Sequence, residues 1–300
     1  MLSLKGRVAV VAGATRGAGR GIAVSLGEAG ATVYCTGRSV RGNLATVGRP
    51  ETIDETAELV TARGGTGIAI RVDHTEPDQV RDLVERVRVE QGRLDLLVND
   101  IWGGDELAEW GKPFWEQSLE KGLLMQDRAV RSHIITSHYL VPLMVEARHG
   151  LVVEITDGET LDYRDNFFYD LAKTTVIRLA FGQARDLRRF GVAAVALTPG
   201  FLRSEAMLDH FGVTETNWRD GAKKDPFFIA SETPYYIGRA VAALAADPNI
   251  LEKTGQTLST WRLAPEYGFR DVDGSQPNWA AYYEEHRPTE DRSIESLANN

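Results

Sequence analysis

An α/β fold, with a parallel sheet covered on both faces by helices, follows from three observations in this sequence. Seven short apolar runs bounded by turn residues recur at 8–12, 32–36, 67–72, 94–98, 151–155, 192–197 and 256–260, which reads as a set of strands. Between them apolar residues return at helical spacing, as in Val80, Leu83, Val84 and Val87 and again in Leu179, Ala180, Ala184 and Leu187. Helices that alternate with strands imply parallel strands under helical layers. The third observation is the turn Gly13-Ala14-Thr15-Arg16-Gly17-Ala18-Gly19, which directly follows the first run and opens an Ala/Ile/Leu-spaced segment.

Taken in order, the first strand, the glycine turn and a helix start make a cradle for a dinucleotide. Glycines let the backbone approach a pyrophosphate, and the free N–H groups at the helix N-terminus meet its charge. The second run follows about 20 residues later and ends in Gly37-Arg38-Ser39. Three stretches exceed the minimal rhythm: 41–56, the Trp-, Phe- and Gly-rich 102–124, and 203–232. In open α/β sheets such segments form the crevice at the carboxyl ends of the strands. Trp102, Trp110, Phe114 and Trp115 either line an apolar substrate pocket there or close the core or a subunit contact. Tyr169 and Lys173 stand four residues apart and share a face if their segment is helical. Thr233-Pro234 reads as a helix cap with proline at the first helical position, and Asp247-Pro248 stops that helix.

Three hundred residues, 43% of them hydrophobic, fit a single α/β domain over residues 1–262 with an extension over 263–300 better than two domains. The net charge of −9 is dispersed, which argues against nucleic-acid and membrane-surface partners and for a small-molecule substrate and identical subunits. A first strand beginning near Arg7 leaves no room for a signal peptide, and no apolar run approaches ~18 residues, so a cytoplasmic protein is expected. Cys35 is the single cysteine and the histidines lack ligand spacing, so neither an internal disulfide nor a metal is expected.

With the glycine turn, Tyr169-Asp170-Leu171-Ala172-Lys173 and the late Pro199-Gly200 in view, the chain resembles the short-chain dehydrogenase/reductase family from about residue 4 to residue 260. The resemblance implies a single Rossmann-type doubly wound domain of strand order 3-2-1-4-5-6-7, a nicotinamide cofactor, and a homodimer or homotetramer. Gly13, Gly17 and Gly19 match its glycine motif, with Thr15 inside the turn and Ala12 in place of the usual threonine. By the same resemblance Asp73 meets adenine, Asn99 opens the Asn-Asn-Ala-Gly segment, and Pro199, Gly200 and Ser204 hold the nicotinamide end. Lys173 holds the ribose and favours the phenolate of Tyr169, the proton donor. At the end of the second strand an acidic residue would bind a ribose hydroxyl, whereas guanidinium groups suit a 2′-phosphate. Arg38, beside Ser39, with Arg16 in the glycine turn, therefore points to NADP(H).

Two departures bear on the chemistry. The family's hydrogen-bonding serine is replaced within Ile155-Thr156-Asp157, where the usual spacing from Tyr169 selects Thr156 and the motif letters select Asp157. Thr156 would keep a hydroxyl and an ordinary carbonyl reductase. An ionised Asp157 would disfavour a developing oxyanion and favour a protonated imine, whereas a neutral one could donate to a carbonyl. A third reading leaves Asp157 capping a turn with Gly158. His133 stands where the family has a relay asparagine, and either relays protons to Lys173 or is structural. The expected activity is NADPH-dependent reduction of a C=O or C=N bond in a small to medium, partly apolar substrate. The alternatives are a dedicated imine reductase, a sugar-nucleotide epimerase or dehydratase lacking its larger C-terminal domain, and a non-catalytic NADP(H)-binding regulator.

Overall fold

The computed structural model describes residues 3–160 and 162–287. One sheet of seven parallel strands, ordered β3-β2-β1-β4-β5-β6-β7, divides the molecule. The strands are β1 Val8–Ala12, β2 Thr32–Gly37, β3 Thr66–Arg71, β4 Leu96–Asn99, β5 Gly150–Ile155, β6 Val192–Thr198 and β7 Thr257–Ser259. Each lies within two residues of an apolar run in the sequence. β4 starts later than its run because Asp95 turns its carboxylate onto the Val8 N–H at 2.9 Å while its own N–H pairs with the Val8 carbonyl. Leu94 is then spent in the core outside the ladder.

Each face of the sheet carries its own apolar core. On one side lie helices α1 (Gly17–Glu28), α2 (Ile53–Ala62) and, further along the chain, α8 (Pro234–Ala246), with Ile22, Leu26, Ile53, Ile237, Val241 and Leu244 packed against β1 and its neighbours. On the other lie α3 (Pro77–Gln91), α5 (Ser132–Ala147) and α6 (Phe167–Leu187), contributing Val80, Leu83, Val87, Leu140, Met144 and Leu187. α1 and α8 cross so closely that a Cβ on Gly21 would stand 2.0 Å from the Pro234 carbonyl oxygen, so only glycine permits this crossing. Thr233 caps α8 through the Tyr235 N–H and Pro234 opens it.

The long connections are not plain loops. Residues 102–124 contain a short 3-10 turn, Asp105–Leu107, and the start of α4 (Leu119–Gln126), which runs through a π-bulge at Asp127–Arg131 into α5. Residues 203–232 contain α7 (Glu205–Phe211) and two 3-10 turns. After β7 come α9 (Thr260–Tyr267) and α10 (Trp279–His286). The extension predicted over 263–300 is described only to residue 287, so most of its acidic tail lies outside the described residues. Within the described part, Trp279 packs its ring against Phe201 and Phe227. Among the described residues no helix is long and apolar enough to cross a membrane.

Candidate active site

β1 ends at Ala12 and the chain turns through Gly13 (φ 94°) into α1. A Cβ on Gly13 would stand 2.3 Å from the Asp100 carbonyl oxygen, and one on Gly19 would stand 2.3 Å from the Gly13 carbonyl oxygen. The turn is therefore a bare backbone cradle against the end of β4. Thr15 is buried within it and Arg16 precedes α1 with no side-chain cap. Beside the ends of β2 and β3 opens a cavity of about 500 Å³ lined by Arg38, Ala45, Arg71, Asp73 and Gln79. The Arg38 guanidinium lies 3.8 Å from the Asp73 carboxylate. Asp73 takes both the N–H and the hydroxyl of Thr75, bonds that hold its carboxyl below the usual carboxylate range in spite of burial. Ser39, expected on the cofactor, is buried and accepts the Ala45 N–H at 3.0 Å, folding the loop after β2. Arg16 reaches the same loop, at Thr46.

The chemistry-bearing side chains meet along the same carboxyl edge of the sheet, after β5. Asn166 caps α6 through the Tyr169 N–H, which sets Tyr169 and Lys173 one turn apart facing the end of β5. The Tyr169 hydroxyl donates to Asp157 Oδ2 at 2.8 Å. Thr156 is buried and its hydroxyl donates to the Lys173 backbone carbonyl at 2.8 Å, not to the phenol. Both neighbours reach α6, Thr156 at its backbone and Asp157 at the Tyr169 hydroxyl, so the motif letters and not the spacing from Tyr169 identify the side chain on the phenol. The turn-cap alternative fails as well, because the Gly158 N–H goes to Thr198 Oγ1 at 2.8 Å. Enclosure by protein, the Asp157 charge and its hydrogen bond push the Tyr169 phenol well above its ordinary value. Enclosure pulls the Lys173 ammonium down against the opposing charges of Asp157, Asp100 and Asp105. Arg164 ties the loop after β5, with Nε on the Asp157 carbonyl at 2.6 Å and Nη1 on Asp170 at 2.8 Å.

Aromatic rings roof this cluster. Trp102 and Trp110 pack on the Tyr169 ring at 5.4 and 5.3 Å between centroids, and the Lys173 ammonium lies 4.3 Å over Trp102. Trp102 Nε1 donates to Asp105 at 2.5 Å. Phe114 and Trp115 instead pair with each other, Phe114 also with Phe167, and Trp115 is 71% exposed. Of the four aromatics expected at a pocket, two are beside Tyr169 and two are outside it.

Two further expectations are redirected. Asn99 is fully buried and donates to Ser137 at 2.9 Å and to Glu154 at 3.0 Å, so its side chain serves an internal network and not the cofactor. His133 Nδ1 faces Glu154 Oε2 at 2.7 Å and Nε2 faces the Ile101 carbonyl at 3.0 Å. Both ring nitrogens are taken and neither bonds Lys173, so the side chain makes no direct relay to it. Gln183 completes the Glu154 shell. Pro199 and Gly200 follow β6, with the Gly200 N–H on Glu232 at 2.9 Å, and Ser204 caps α7.

Sequence reasoning missed Glu154, Asp100, Asp105, Arg71, Glu205 and Glu232. Glu154 had a signal: a carboxylate inside the apolar strand Leu151-Val152-Val153-Glu154-Ile155 must find partners. Asp100 follows Asn99, and enclosure lifts its carboxyl to about 7 against the pull of Lys173 and the Gly19 N–H. The others come from distant segments and meet only in the folded chain. The arrangement suits a nicotinamide dinucleotide, with a bare glycine cradle for a pyrophosphate, two arginines at a nucleotide-sized cavity, and a Tyr/Lys pair at the far end.

A family model described as short chain dehydrogenase matches residues 7–211. The chain is 38% identical over 276 residues to the human protein named dehydrogenase/reductase SDR family member 1, covering 90% of this chain and 85% of that one. It is 26% identical over 207 residues to a 3-oxoacyl-acyl-carrier-protein reductase of Escherichia coli, covering 68% and 77% of the two chains. A crystallised short chain dehydrogenase homolog from Mycobacterium thermoresistibile shares the fold, with TM-score 0.77 at 24% identity over 92% of each chain.

Proposed function

The chain belongs to the short-chain dehydrogenase family, oxidoreductases that use a nicotinamide cofactor, and from that premise we propose that it is an NADP(H)-dependent reductase acting on a protonated C=N bond. The observation that carries this reading is the 2.8 Å bond from the Tyr169 hydroxyl to the Asp157 carboxylate. NADP(H), when bound, supplies the hydride. Gly13, Gly17 and Gly19 would hold its pyrophosphate, Arg16, Arg38 and Arg71 its 2′-phosphate, Asp73 its adenine end, and Lys173, Pro199, Gly200 and Ser204 its nicotinamide end.

Reduction of a ketone builds negative charge on oxygen, which a carboxylate beside it opposes. It also needs a proton from Tyr169, and Asp157 makes that phenol a weaker acid. A protonated imine carries positive charge before reaction and becomes a neutral amine afterwards. Asp157 stabilises that cation, and no proton need be given up at the reacting step. If the imine arrives neutral, Tyr169 protonates its nitrogen with Asp157 holding the phenol in line. The supporting experiment follows NADPH consumption over matched cyclic imines, ketones and aldehydes. The reading expects imines to exceed their ketone partners by at least tenfold in kcat/KM.

A further inference from the structure

The first turn of α1 contains no acidic residue and no side-chain cap, yet its leading N–H already has an anionic partner from far along the chain. Glu205, the first residue of α7, places Oε2 2.8 Å from the Gly17 nitrogen, with Oε1 3.9 Å from Arg20 Nε. Ser204, which caps α7, lies so close that its Cβ would be 3.7 Å from a Cβ on Gly17. At the other end of α7, Asp209 pairs with Arg49 of the loop after β2 at 2.5 Å. α7 is thus tied at both ends across the cradle, one tie to the glycine turn and one to the segment bordering the nucleotide cavity.

We infer that Glu205 is a built-in competitor for the cofactor's pyrophosphate, a carboxylate that fills the anion cradle of α1 and must withdraw with α7 before a dinucleotide seats. A helix N-terminus favours a single anion at short range, and the cradle cannot hold a carboxylate and a pyrophosphate on the same N–H groups. Displacing Glu205 therefore subtracts from the affinity for the cofactor. The carboxylate returns as the dinucleotide leaves, so the same group weakens binding and speeds exchange. The inference rests on the cofactor reading of the glycine turn and is independent of which bond is reduced.

The test is direct NADPH binding, followed by stopped-flow fluorescence titration of the wild type, Glu205→Gln and Glu205→Ala. Glutamine keeps the size and an accepting oxygen but removes the charge. Both variants are expected to bind NADPH about fivefold to thirtyfold more tightly. Without cofactor, the melting midpoint of Glu205→Ala should fall by about 2 °C as the Gly17 contact is lost, while its rise on adding NADPH should exceed that of the wild type. Asp209→Asn, which loosens the far end of α7, should speed NADPH association with Glu205 intact. Equal or weaker NADPH affinity in both Glu205 variants would overturn the inference. If none of the proteins bound NADPH, the cofactor reading would fall and this inference with it.

Discussion

The Tyr169 hydroxyl donates to Asp157, and the consequences differ in the two directions of reaction. The phenol is held above its ordinary titration range by enclosure first and by Asp157 second, so it stays protonated through neutral and mildly alkaline pH. Reduction should therefore show no fall from phenol ionisation between about pH 7 and 9. Oxidation, which needs the phenolate, should rise only toward higher pH, and Asp157→Asn should move that rise downward. Tyr169→Phe keeps the ring under Trp102 and Trp110 and removes the hydroxyl. It should lower kcat by about 10² to 10⁴ for substrates that arrive neutral, with NADPH affinity changed by less than about threefold. Full turnover of every substrate class by this variant would move proton delivery to another group. At the adenosine end, Arg38 is partly exposed and paired loosely with Asp73 at 3.8 Å, so it is free to turn to a 2′-phosphate. Arg38→Asp should reduce the ratio of NADPH to NADH affinity by at least tenfold, about 1.4 kcal/mol. An unchanged ratio would remove Arg38 from cofactor selection.

The elements carry these side chains through contacts that differ in how far the sequence exposes them. Strands, helix order and the α8 cap are legible because each depends on local period or capping chemistry, and Tyr169 with Lys173 is legible because one helical turn relates them. The partners of Asn99 and the occupants of the His133 nitrogens are not, since Asn99 lies on Ser137 and Glu154 and His133 on Glu154 and the Ile101 carbonyl, which the fold brings together. Nor is the choice between Thr156 and Asp157, which turns on where β5 ends. Glu232 belongs to the same class: it sits after the second 3-10 turn of 203–232, wholly buried, taking the Gly200 N–H and the Thr260 hydroxyl. Burial raises its carboxyl to about 8. The folded state then keeps a proton that the unfolded chain has lost, so its contribution to stability is complete below about pH 4.5 and disappears as pH rises through about 8. The slope from this group is at most ~1.4 kcal/mol per pH unit. Glu232→Gln imitates the protonated form, and its urea midpoint should decline less than the wild type's between about pH 6 and 8.5. Parallel pH profiles for the two proteins would show that Glu232 titrates normally.

At the scale of the whole molecule, the C-terminal segment and the α5/α6 face set the site's surroundings. Trp279 of α10 packs so tightly on the turn after β6 that a Cβ on Gly200 would stand 2.6 Å from its Cβ. The segment beyond the last strand thus buttresses the Pro199-Gly200 turn. The helices that carry His133, Tyr169 and Lys173 also present Ile134, Leu171 and Phe181, each 40% exposed or more. A second copy covering this face would bury that apolar surface, and if so Phe181→Asp is expected to lower the mass measured by light scattering toward the 33.1 kDa of one chain. A wild type that is already monomeric at micromolar concentration would contradict that assembly. The central claim is that Asp157 makes this site a reducer of cationic C=N bonds. The measurement that tests it most directly compares kcat/KM for a cyclic imine and its matched ketone in the wild type and in Asp157→Ser, under saturating NADPH. The account predicts that serine lowers the imine value by one to several orders of magnitude, the scale of a lost electrostatic contact, while the ketone value holds or rises. A serine variant that keeps the wild-type preference between the two substrates would contradict it.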